Sequence, residues 1–411
     1  MDTAVSGLIQ DGGIVGGTGG SLTKVGSGTL TLTGANTYTG GTTLEGGILA
    51  VNSDDNFGTG PLSFNGGTLQ AVAAGGGLTT SKAIDLAVGG GTFLADAGTA
   101  STLSGTITGV GAWTKTGPGS LALSGANSYT GGTTIAGGTV LTQNVSALGS
   151  GPIALNGGTT LQVQDFLNVN GNWTVFPGTA TVSGGTVQMV GGFNLGGGGT
   201  LHANASFNVP GAASINDSGL VVNNQFTVDR GLDLNGNSAA LVNGVLAASA
   251  VNVNNASSLI VNTSGIVASN VSVGPSAQLA LAGRIGGRVT NLGFLQGTGA
   301  IAGSLINSGI VAPGASVGRL TINGNYTQSP SGTLRIEVAG SSPGQYDVLL
   351  VNGHISLAGS LQFVPVGGFK LRVGDQIAFL TASNGVSGSF TTVENESVVT
   401  GTEAGSTWMQ L

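Results

Sequence analysis

The chain has 411 residues, a formal net charge of −7 and a charged fraction of only 7%. Its ten lysines and arginines form no basic run, so we expect no nucleic-acid partner, and the absence of cysteine excludes disulfides, thiolate metal sites and cysteine nucleophiles. With 79 glycines and a hydrophobic fraction of 40%, the chain is too apolar for a disordered linker, and it lacks the Gly-X-Y period of collagen.

The N-terminal residues, MDTAVSGLIQDGG, lack the positive and apolar regions of a signal peptide, and no apolar stretch suits a membrane helix. We therefore expect a fragment, whose compartment has to be inferred from other features. A large chain without cysteine suits export in unfolded form through a narrow pore, because no preformed crosslink would block it. A cytosolic protein that lacks cysteine by chance is the alternative.

Residues 26–70 and 117–161 have nearly the same sequence: the first begins GSGTLTLTGANTYTGGTTLEGG and the second GPGSLALSGANSYTGGTTIAGG. The similarity extends upstream, where Val5–Ile9 resembles Leu103–Ile107 and Ser21–Gly26 resembles Ala112–Gly117. The repeat is therefore a unit of about 90 residues, and such repetition predicts a stacked architecture. It also favours a building unit over an active site.

In the middle of the chain, short apolar stretches recur about every 20 residues, at Leu220–Asn223, Ala240–Asn243, Leu259–Asn262 and Leu279–Ala282. Each is followed by a turn and a second short strand pattern, and no apolar pattern of helical period is sustained. This spacing is typical of the coils of a parallel β-helix, whose strands stack on those of the next coil.

A solenoid of this kind predicts which residues face inward and which lie at corners. We expect six apolar side chains to point into the core: Leu30, Leu32, Leu121, Leu123, Val221 and Ile260. Asparagines at equivalent corners are expected to stack into hydrogen-bonded ladders. These are Asn216, Asn223, Asn235, Asn243, Asn254, Asn262 and Asn270.

Composition divides the chain into three parts. Residues 1–165 hold the long repeats, and residues 166–320 are plainer coils rich in Asn and Gly. In residues 321–411 ordinary charge returns and the strand patterns lengthen. We therefore predict a β-helix with two repeat units, a plain β-helical middle and a C-terminal β-rich cap.

The two long copies closely resemble the passenger-associated transport repeat of bacterial autotransporters (type V secretion). The matching positions in the first copy are Gly28, Leu30, Leu32, Gly34, Asn36, Tyr38, Gly40, Thr42, Gly47 and Leu49. In the second copy they are Gly119, Leu121, Leu123, Gly125, Asn127, Tyr129, Gly131, Thr133 and Gly138, with Val140 in place of the final leucine.

A second resemblance covers residues 309–363, which include GIVAPGASVGRLTINGNYTQ and YDVLLVNGHISLAGSLQF, and it continues over 374–393. These stretches look like the end of an autotransporter passenger. In that family this part caps the β-helix and acts as an intramolecular chaperone, so residues 321–411 are expected to be autochaperone-like. The resemblance also implies a C-terminal translocator β-barrel in the full-length protein, for which this chain has no room; we expect a passenger fragment.

Most residues with reactive or charged side chains have a structural explanation. His202 and His354 are the only histidines, so a Ser-His-Asp triad would have to use one of them. The resemblance implies a structural role for His354, and the sequence has no acidic residue close to His202. The adjacent pair Asp54 and Asp55 is interpreted as a solvated turn, with a weak Ca²⁺ contact as the alternative.

The remaining candidates also have structural explanations. Solvated turns explain several charged residues, with a shallow anionic-ligand face as the alternative for the last three: Asp229, Arg230, Asp233, Arg284, Arg288 and Arg319. Trp113 and Trp173 are interpreted as plugs of the core or of loops, and carbohydrate stacking is the alternative if they are exposed. The sequence therefore predicts no catalytic, cofactor-binding or metal-binding residue and no cofactor.

Together, these features predict an all-β, right-handed parallel β-helix (solenoid) with a β-rich C-terminal cap. The expected function is that of an extracellular, non-enzymatic stalk or adhesin on the bacterial surface, exported through the outer membrane. Its expected partners are host or bacterial surface glycans or proteins, or a second copy in autoaggregation or biofilm. The alternatives are a β-helical lyase or glycosidase and a pure spacer that binds nothing.

Overall fold

The computed structural model describes residues 2–12, 16–170, 172–370, 375–394, 399–403 and 406–410, with side chains up to residue 394. The chain forms two compact units, Met1–Pro210 and Gly211–Leu411. Within the described residues the regular structure is β-strand, with two short 3₁₀ helices at Asp54–Phe57 and Ala73–Gly75. No helix in this part of the chain is long and apolar enough to span a membrane.

The first unit is built from short strands with glycine-rich turns between them. In chain order they are β1 (Thr3–Val5), β2 (Leu22–Lys24), β3 (Thr29–Leu32), β4 (Thr42–Leu44), β5 (Ile48–Val51), β6 (Leu62–Phe64), β7 (Thr68–Ala71), β8 (Thr79–Thr80), β9 (Ile84–Leu86), β10 (Gly91–Ala95), β11 (Ala100–Leu103), β12 (Ile107–Gly109), β13 (Trp113–Thr116), β14 (Ser120–Leu123), β15 (Thr133–Ile135), β16 (Thr139–Thr142), β17 (Ile153–Leu155), β18 (Thr160–Val169), β19 (Trp173–Val175), β20 (Thr179–Met189), β21 (Phe193–Gly196), β22 (Thr200–Ala203) and β23 (Ser206–Val209).

These strands pair in parallel with strands of the next coil, in register. Leu49 of β5 lies between Leu30 of β3 and Leu69 of β7, and Leu69 lies beside Phe93 of β10. Strands β2, β4, β6, β9 and β12 form a separate five-stranded parallel sheet. Because each inward side chain stacks on an inward side chain of the neighbouring coil, the apolar core is continuous within the unit.

The second unit has the same parallel winding. Its strands are β24 (Ala213–Asn216), β25 (Gly219–Val222), β26 (Gln225–Val228), β27 (Leu232–Asn235), β28 (Ala239–Val242), β29 (Val245–Ala247), β30 (Ala250–Val253), β31 (Ser258–Val261), β32 (Ile266–Val267), β33 (Asn270–Val273), β34 (Gln278–Leu281), β35 (Arg284–Ile285), β36 (Val289–Asn291), β37 (Phe294–Gly297), β38 (Ala300–Ile301), β39 (Leu305–Asn307), β40 (Ile310–Pro313), β41 (Arg319–Ile322), β42 (Tyr326–Gln328), β43 (Thr333–Val338), β44 (Val348–Val351), β45 (Ile355–Leu357), β46 (Ser360–Pro365), β47 (Gln376–Ala382), β48 (Val386–Gly388), β49 (Thr392–Glu394), β50 (Val399–Glu403) and β51 (Ser406–Gln410).

The end of the second unit differs from its coils. There β51 pairs antiparallel with both β47 and β50, so parallel stacking gives way to a β-rich terminal sheet. The predicted all-β solenoid of stacked parallel coils is confirmed in each unit. The right-handed winding stays a prediction, supported by the general preference for right-handed crossovers between parallel strands. The division at residues 165 and 320 and the chaperone role of residues 321–411 also stay predictions.

The predicted inward residues are only partly correct. Leu32, Leu121 and Leu123 are buried, whereas Leu30 is half-buried. The predictions for Val221 and Ile260 are wrong: both point outward, and Ile260 is 38% exposed. Their neighbours take the core positions: Leu220, Val222, Leu259 and Val261. Strand side chains alternate between faces, and these stretches are apolar on both, so the sequence pattern leaves the register ambiguous.

The predicted asparagine ladders are present at two corners of the second unit. Asn235 Nδ2 donates to Asn216 Oδ1 at 3.2 Å, and Asn254 Nδ2 donates to Asn235 Oδ1 at 3.0 Å. A second ladder joins Asn223, Asn243 and Asn262 with donor–acceptor distances of 2.6 and 2.5 Å. Asn270 differs, because its Oδ1 accepts a hydrogen bond from the backbone N–H of Arg288 at 2.8 Å.

The corrected register predicts opposite effects at two adjacent positions. Val222→Asp would bury an unpaired carboxylate and is expected to destabilise the fold by about 3–5 kcal/mol. Val221→Asp places the same group outward and should change stability little. Thermal unfolding followed by circular dichroism tests the pair, and equal melting temperatures for the two variants would show that the register is wrong.

Candidate functional site

The repeated motif encloses a buried lysine in each copy. Lys115 is fully buried, and its Nζ donates to the carbonyl oxygens of Gly117 at 2.6 Å, Gly137 at 2.9 Å and Gly119. Lys24 in the first copy donates to Val25, Gly26 and Gly46 at 2.9, 3.0 and 3.1 Å. An ammonium group has three protons, so each lysine satisfies three carbonyls of the turns around it.

We call each lysine with its three carbonyl acceptors a lysine cage. Two effects in the cage act in opposite directions on the pKa of the ammonium group. Burial lowers the pKa of Lys115 to about 8, because desolvation disfavours the charged form. The three carbonyl acceptors favour the charged form. The motif therefore uses a cation to complete the hydrogen bonding of its turns, without a carboxylate in the cage.

The motif asparagine joins neighbouring coils. Asn127 Oδ1 accepts from the N–H of Ile107 at 2.8 Å, and its Nδ2 donates to the carbonyl of Ala147 at 2.6 Å. In the first copy, Asn36 accepts from the N–H of Ile9 at 2.7 Å and donates to the carbonyl of Asn56. A single amide thus ties its own turn to segments on both sides of it.

The motif tyrosine and threonine form a second internal tie. Thr133 Oγ1 donates to the carbonyl of Leu148 at 3.0 Å and lies 2.5 Å from the Tyr129 hydroxyl. Because the carbonyl can only accept, the threonine proton points to it, and the tyrosine hydroxyl donates to the threonine. Tyr38 and Thr42 make the same contact at 2.7 Å. Burial raises the pKa of Tyr129, so the tyrosine is neutral.

A motif-associated glycine makes room for this tyrosine. Gly149 follows the 142–148 turn with φ of +64°, and a β-carbon there would approach the Tyr129 ring to 3.0 Å. Gly58 has φ of +71° and would meet the Tyr38 ring at 2.6 Å. The lysine, asparagine, tyrosine and threonine are therefore engaged in bonds within the fold in both copies, and the repeat acts as a mechanical unit of the solenoid.

The acidic pair of the first copy has a structural place. Asp54 and Asp55 begin the 3₁₀ helix, which Ser53 and Asn56 cap. Asp54 pairs with Lys82 at 2.7 Å, and the Lys82 ammonium lies 4.7 Å from the centre of the Phe57 ring. Asp54 thus links this loop to a neighbouring coil, while Asp55 is exposed to solvent.

One of the two histidines lies in a strand, and the other lies just before one. His202 is a half-buried residue of β22. His354 precedes β45, its Nδ1 lies 3.1 Å from the carbonyl of Asn384, and its Nε2 lies 2.8 Å from Ser387 Oγ. Because the carbonyl of Asn384 only accepts, Nδ1 donates to it, and the Ser387 hydroxyl that contacts Nε2 also lies 3.3 Å from the carbonyl of Ile355. The histidine thereby ties two successive coils together.

The charged residues for which solvated turns were predicted do not gather at one place. Asp233 accepts from Asn252 Nδ2 at 2.7 Å, while Asp229 and Arg230 lie exposed after β26. Arg319 lines a cavity of about 350 Å³ with Val317, Pro343, Tyr346 and their neighbours. Neither Arg284 nor Arg288 belongs to that lining, so the structure does not assemble the three arginines around one cavity.

The two tryptophans interpreted above as plugs, Trp113 and Trp173, belong to the core. Trp113 is fully buried, and its ring centre lies 5.5 Å from Phe64 and 6.3 Å from Phe93. Trp173 packs against Phe193 and Phe207 at 6.0 and 5.9 Å. Neither ring is available for stacking on a carbohydrate. Within the described residues, no three or more His, Asp or Glu side chains are placed to hold a metal ion.

One surface of the second unit stands out by its chemistry. Outward side chains of β25, β28, β31 and β34 form an uncharged stripe beside the exposed asparagine ladder; we call this surface the ladder face. It comprises Val221, Leu241, Ile260 and Ala280, together with Asn223, Asn243 and Asn262. The ladder face offers aliphatic groups and regularly spaced amides, which suits contact with a neutral surface.

Sequence reasoning missed the lysine cages and the ladder face. The lysines occupy equivalent places in KVGSG and KTGPG, so their repetition within both copies was the available signal. The outward stripe was missed because two of its residues, Val221 and Ile260, were predicted to face the core.

Comparison with known proteins places the repeats in a family. The model of the passenger-associated transport repeat matches residues 22–51 and 114–141. A curated relative, the "Adhesin BmaC autotransporter" of Brucella suis biovar 1 (strain 1330), is 41% identical over 140 residues. That stretch is 33% of this chain and 4% of the relative. These findings confirm the resemblance to autotransporter passengers with repeats that was expected from the sequence.

The buried lysine yields a prediction about stability. Lys115→Met leaves three buried carbonyls without a donor and should destabilise the first unit by about 2 kcal/mol or more. Lys370→Met, at an exposed lysine, is the matched control. Chemical denaturation of both variants measures the difference, and equal losses would contradict the role of the cage.

The lowered pKa of Lys115 adds a pH dependence. Its ordinary value is 10.5 and its folded value is about 8, so between these pH values the unfolded state binds more protons. Stability contributed by this group should therefore rise as pH increases from 8 to 10.5. The Lys115→Met variant should lack that rise in parallel titrations.

Proposed function

We propose that this chain is a surface-exposed, non-enzymatic passenger segment of a bacterial autotransporter and that it acts as an adhesive stalk. The observation that carries the proposal is that the two segments matched by the family model also contain the residues whose hydrogen bonds link neighbouring coils. The relative is named as an adhesin, and the aligned part covers 4% of it, so adhesion by this chain is an inference from a partial likeness.

The geometry supports a mechanical role. In each repeat, a lysine cage, an asparagine bridge and a tyrosine–threonine pair link successive coils through the interior. Since these ties satisfy polar backbone groups at the turns, the coils resist separation without disulfides. Such a stalk would present surfaces at the outside of the cell, which is the location we propose.

The ladder face is the contact surface we propose for adhesion. The outward residues of β25, β28, β31 and β34 carry no charge. Docking of a partner therefore removes no charged group of this surface from water, which would be costly. Candidate partners are surface glycans or proteins of the host or of bacteria, and a second copy in self-association. A pure spacer without any binding is the competing function.

Adhesion can be tested with beads that carry the purified chain. Wild-type beads should aggregate with each other or bind target cells, and the double variant Leu241→Lys/Ile260→Lys should lose at least tenfold in that signal. Val88→Lys is the matched control, because Val88 is 86% exposed and lies in the first unit. Loss in the control as well, or a wild type that neither aggregates nor binds, would contradict the proposal.

The non-enzymatic part of the proposal predicts no turnover of polysaccharides. Incubation with pectin, polygalacturonate or chitin-like polymers should release neither reducing ends nor unsaturated products. A lyase or glycosidase needs several convergent acidic or basic groups, and the 17 acidic residues of this chain are spread over its whole length. Product release above a heat-inactivated control would support the enzyme alternative.

A further inference from the structure

Two connections of the second unit are held against each other. One is the loop 314–318 between β40 and β41, and the other is the hairpin 339–347 between β43 and β44. The hairpin is closed by its own hydrogen bonds, since the N–H groups of Ala339 and Gly340 donate to the carbonyl of Gln345 at 2.7 and 3.1 Å. Ser342 N–H also donates to Gln345 Oε1 at 3.3 Å. The hairpin therefore has a defined shape of its own.

Asp347 fixes the loop to the hairpin. Its Oδ1 accepts from the N–H of Gly318 and its Oδ2 from the N–H of Glu337, each at 2.8 Å, and the side chain is fully buried. Gly314 has φ of +97°, and a β-carbon there would lie 2.8 Å from Asp347 Oδ1. Because a larger residue would displace the carboxyl group, the sequence keeps the loop close to the hairpin.

The cavity of about 350 Å³ described above lies where these two connections meet. Its lining consists of Val317, Arg319, Pro343, Tyr346 and Val348, together with two glycines. The walls are thus largely aliphatic, and the described residues make no hydrogen bond to the Tyr346 hydroxyl. The volume is at the lower end of the range for small-molecule sites, roughly 300–1,000 Å³, which suits one small ring.

Arg319 gives this cavity its charge. The residue is exposed, and no ion pair engages it in the part of the chain that the structure describes. The arginine that acts on the carboxyl group of the nearby Asp347 is Arg335 of β43. The guanidinium of Arg319 is therefore available to a ligand, and its fork of N–H groups matches a carboxylate.

The walls favour a sugar ring over a peptide as the body of that ligand. Strand β41 pairs with β38 and β44, and β44 pairs with β41 and β47. A peptide would therefore find no free backbone edge on the two strands that border the cavity. A sugar ring needs no such edge, because its C–H face packs on aliphatic groups and its hydroxyls bond to isolated polar groups.

We propose that this cavity binds one acidic sugar unit, a hexuronate. Its carboxylate pairs with Arg319, its C–H face packs on Val317 and Pro343, and a ring hydroxyl bonds to the Tyr346 hydroxyl. The site shares no residue with the ladder face, and the inference does not rest on the adhesive function.

Sugar binding can be measured on the full chain by ligand-detected NMR. Methyl β-D-glucuronide should bind saturably, and methyl β-D-glucoside, which lacks the carboxylate, should bind at least tenfold more weakly. N-acetylglycine, a carboxylate without a ring, should also bind at least tenfold more weakly. Equal binding of the glucoside would show that Arg319 selects no charge. Equal binding of N-acetylglycine would identify a peptide terminus as the ligand, and either result would overturn the proposal.

Two variants locate the site. Arg319→Gln should weaken glucuronide binding at least tenfold, and so should Val317→Glu, which places a carboxylate in the cavity. Arg284→Gln is the matched control, because Arg284 is an exposed arginine of the same unit outside the lining. All three should melt close to the wild type. An equal loss in the control, or full binding by Arg319→Gln, would contradict the assignment.

A multivalent format covers low affinity. Beads that carry many copies of the chain should be retained on glucuronide-agarose, and beads with Arg319→Gln should pass through. The ladder-face variant Leu241→Lys/Ile260→Lys should be retained like the wild type, so this result separates the site from the proposed adhesive surface. Wild-type beads that are not retained, with no binding in the NMR titration, would overturn the proposal.

Discussion

In-register stacking of parallel strands is the constraint on which the rest of each unit depends. Each residue of a paired strand lies about 4.8 Å from its partner in the next coil. Stacked like charges repel at that distance, which accounts for a charged fraction of 7%. An amide group both donates and accepts, so asparagine can repeat at one position, as it does at residues 216, 235 and 254.

The same stacking leaves polar backbone groups at the turns, and buried ions satisfy some of them. Lys115 donates to three carbonyls in the first unit. In the second unit the fully buried Asp347 accepts from the N–H groups of Gly318 and Glu337, each at 2.8 Å. Burial raises the pKa of Asp347 to about 7, against the effect of these two donors. A lysine thus serves turns rich in carbonyls, and a carboxyl group serves N–H groups of the 314–318 loop and of β43.

The solenoid and its repeats could be predicted from the sequence because the same residues recur at regular spacing, and this period is visible without a structure. The inward set could not be fully predicted, since Leu220, Val221 and Val222 are all apolar and only the three-dimensional register separates their faces. Leu30 was placed correctly in the strand, yet it is half-buried, whereas its counterpart Leu121 in the second copy is fully buried. The burial of a residue depends also on the neighbouring coil, which the residue's own pattern does not encode.

The hydrogen bonds within the motif explain why its polar residues recur in both copies and why they indicate no ligand. Asn127, Tyr129 and Thr133 have their polar atoms occupied by contacts within the fold. The residues of the motif therefore hold neighbouring coils together. Recognition of a partner then depends on outward residues that the motif leaves free. In the adhesive role proposed above, these residues are the aliphatic side chains of the ladder face, which take no part in the asparagine ladder and so can change without breaking it.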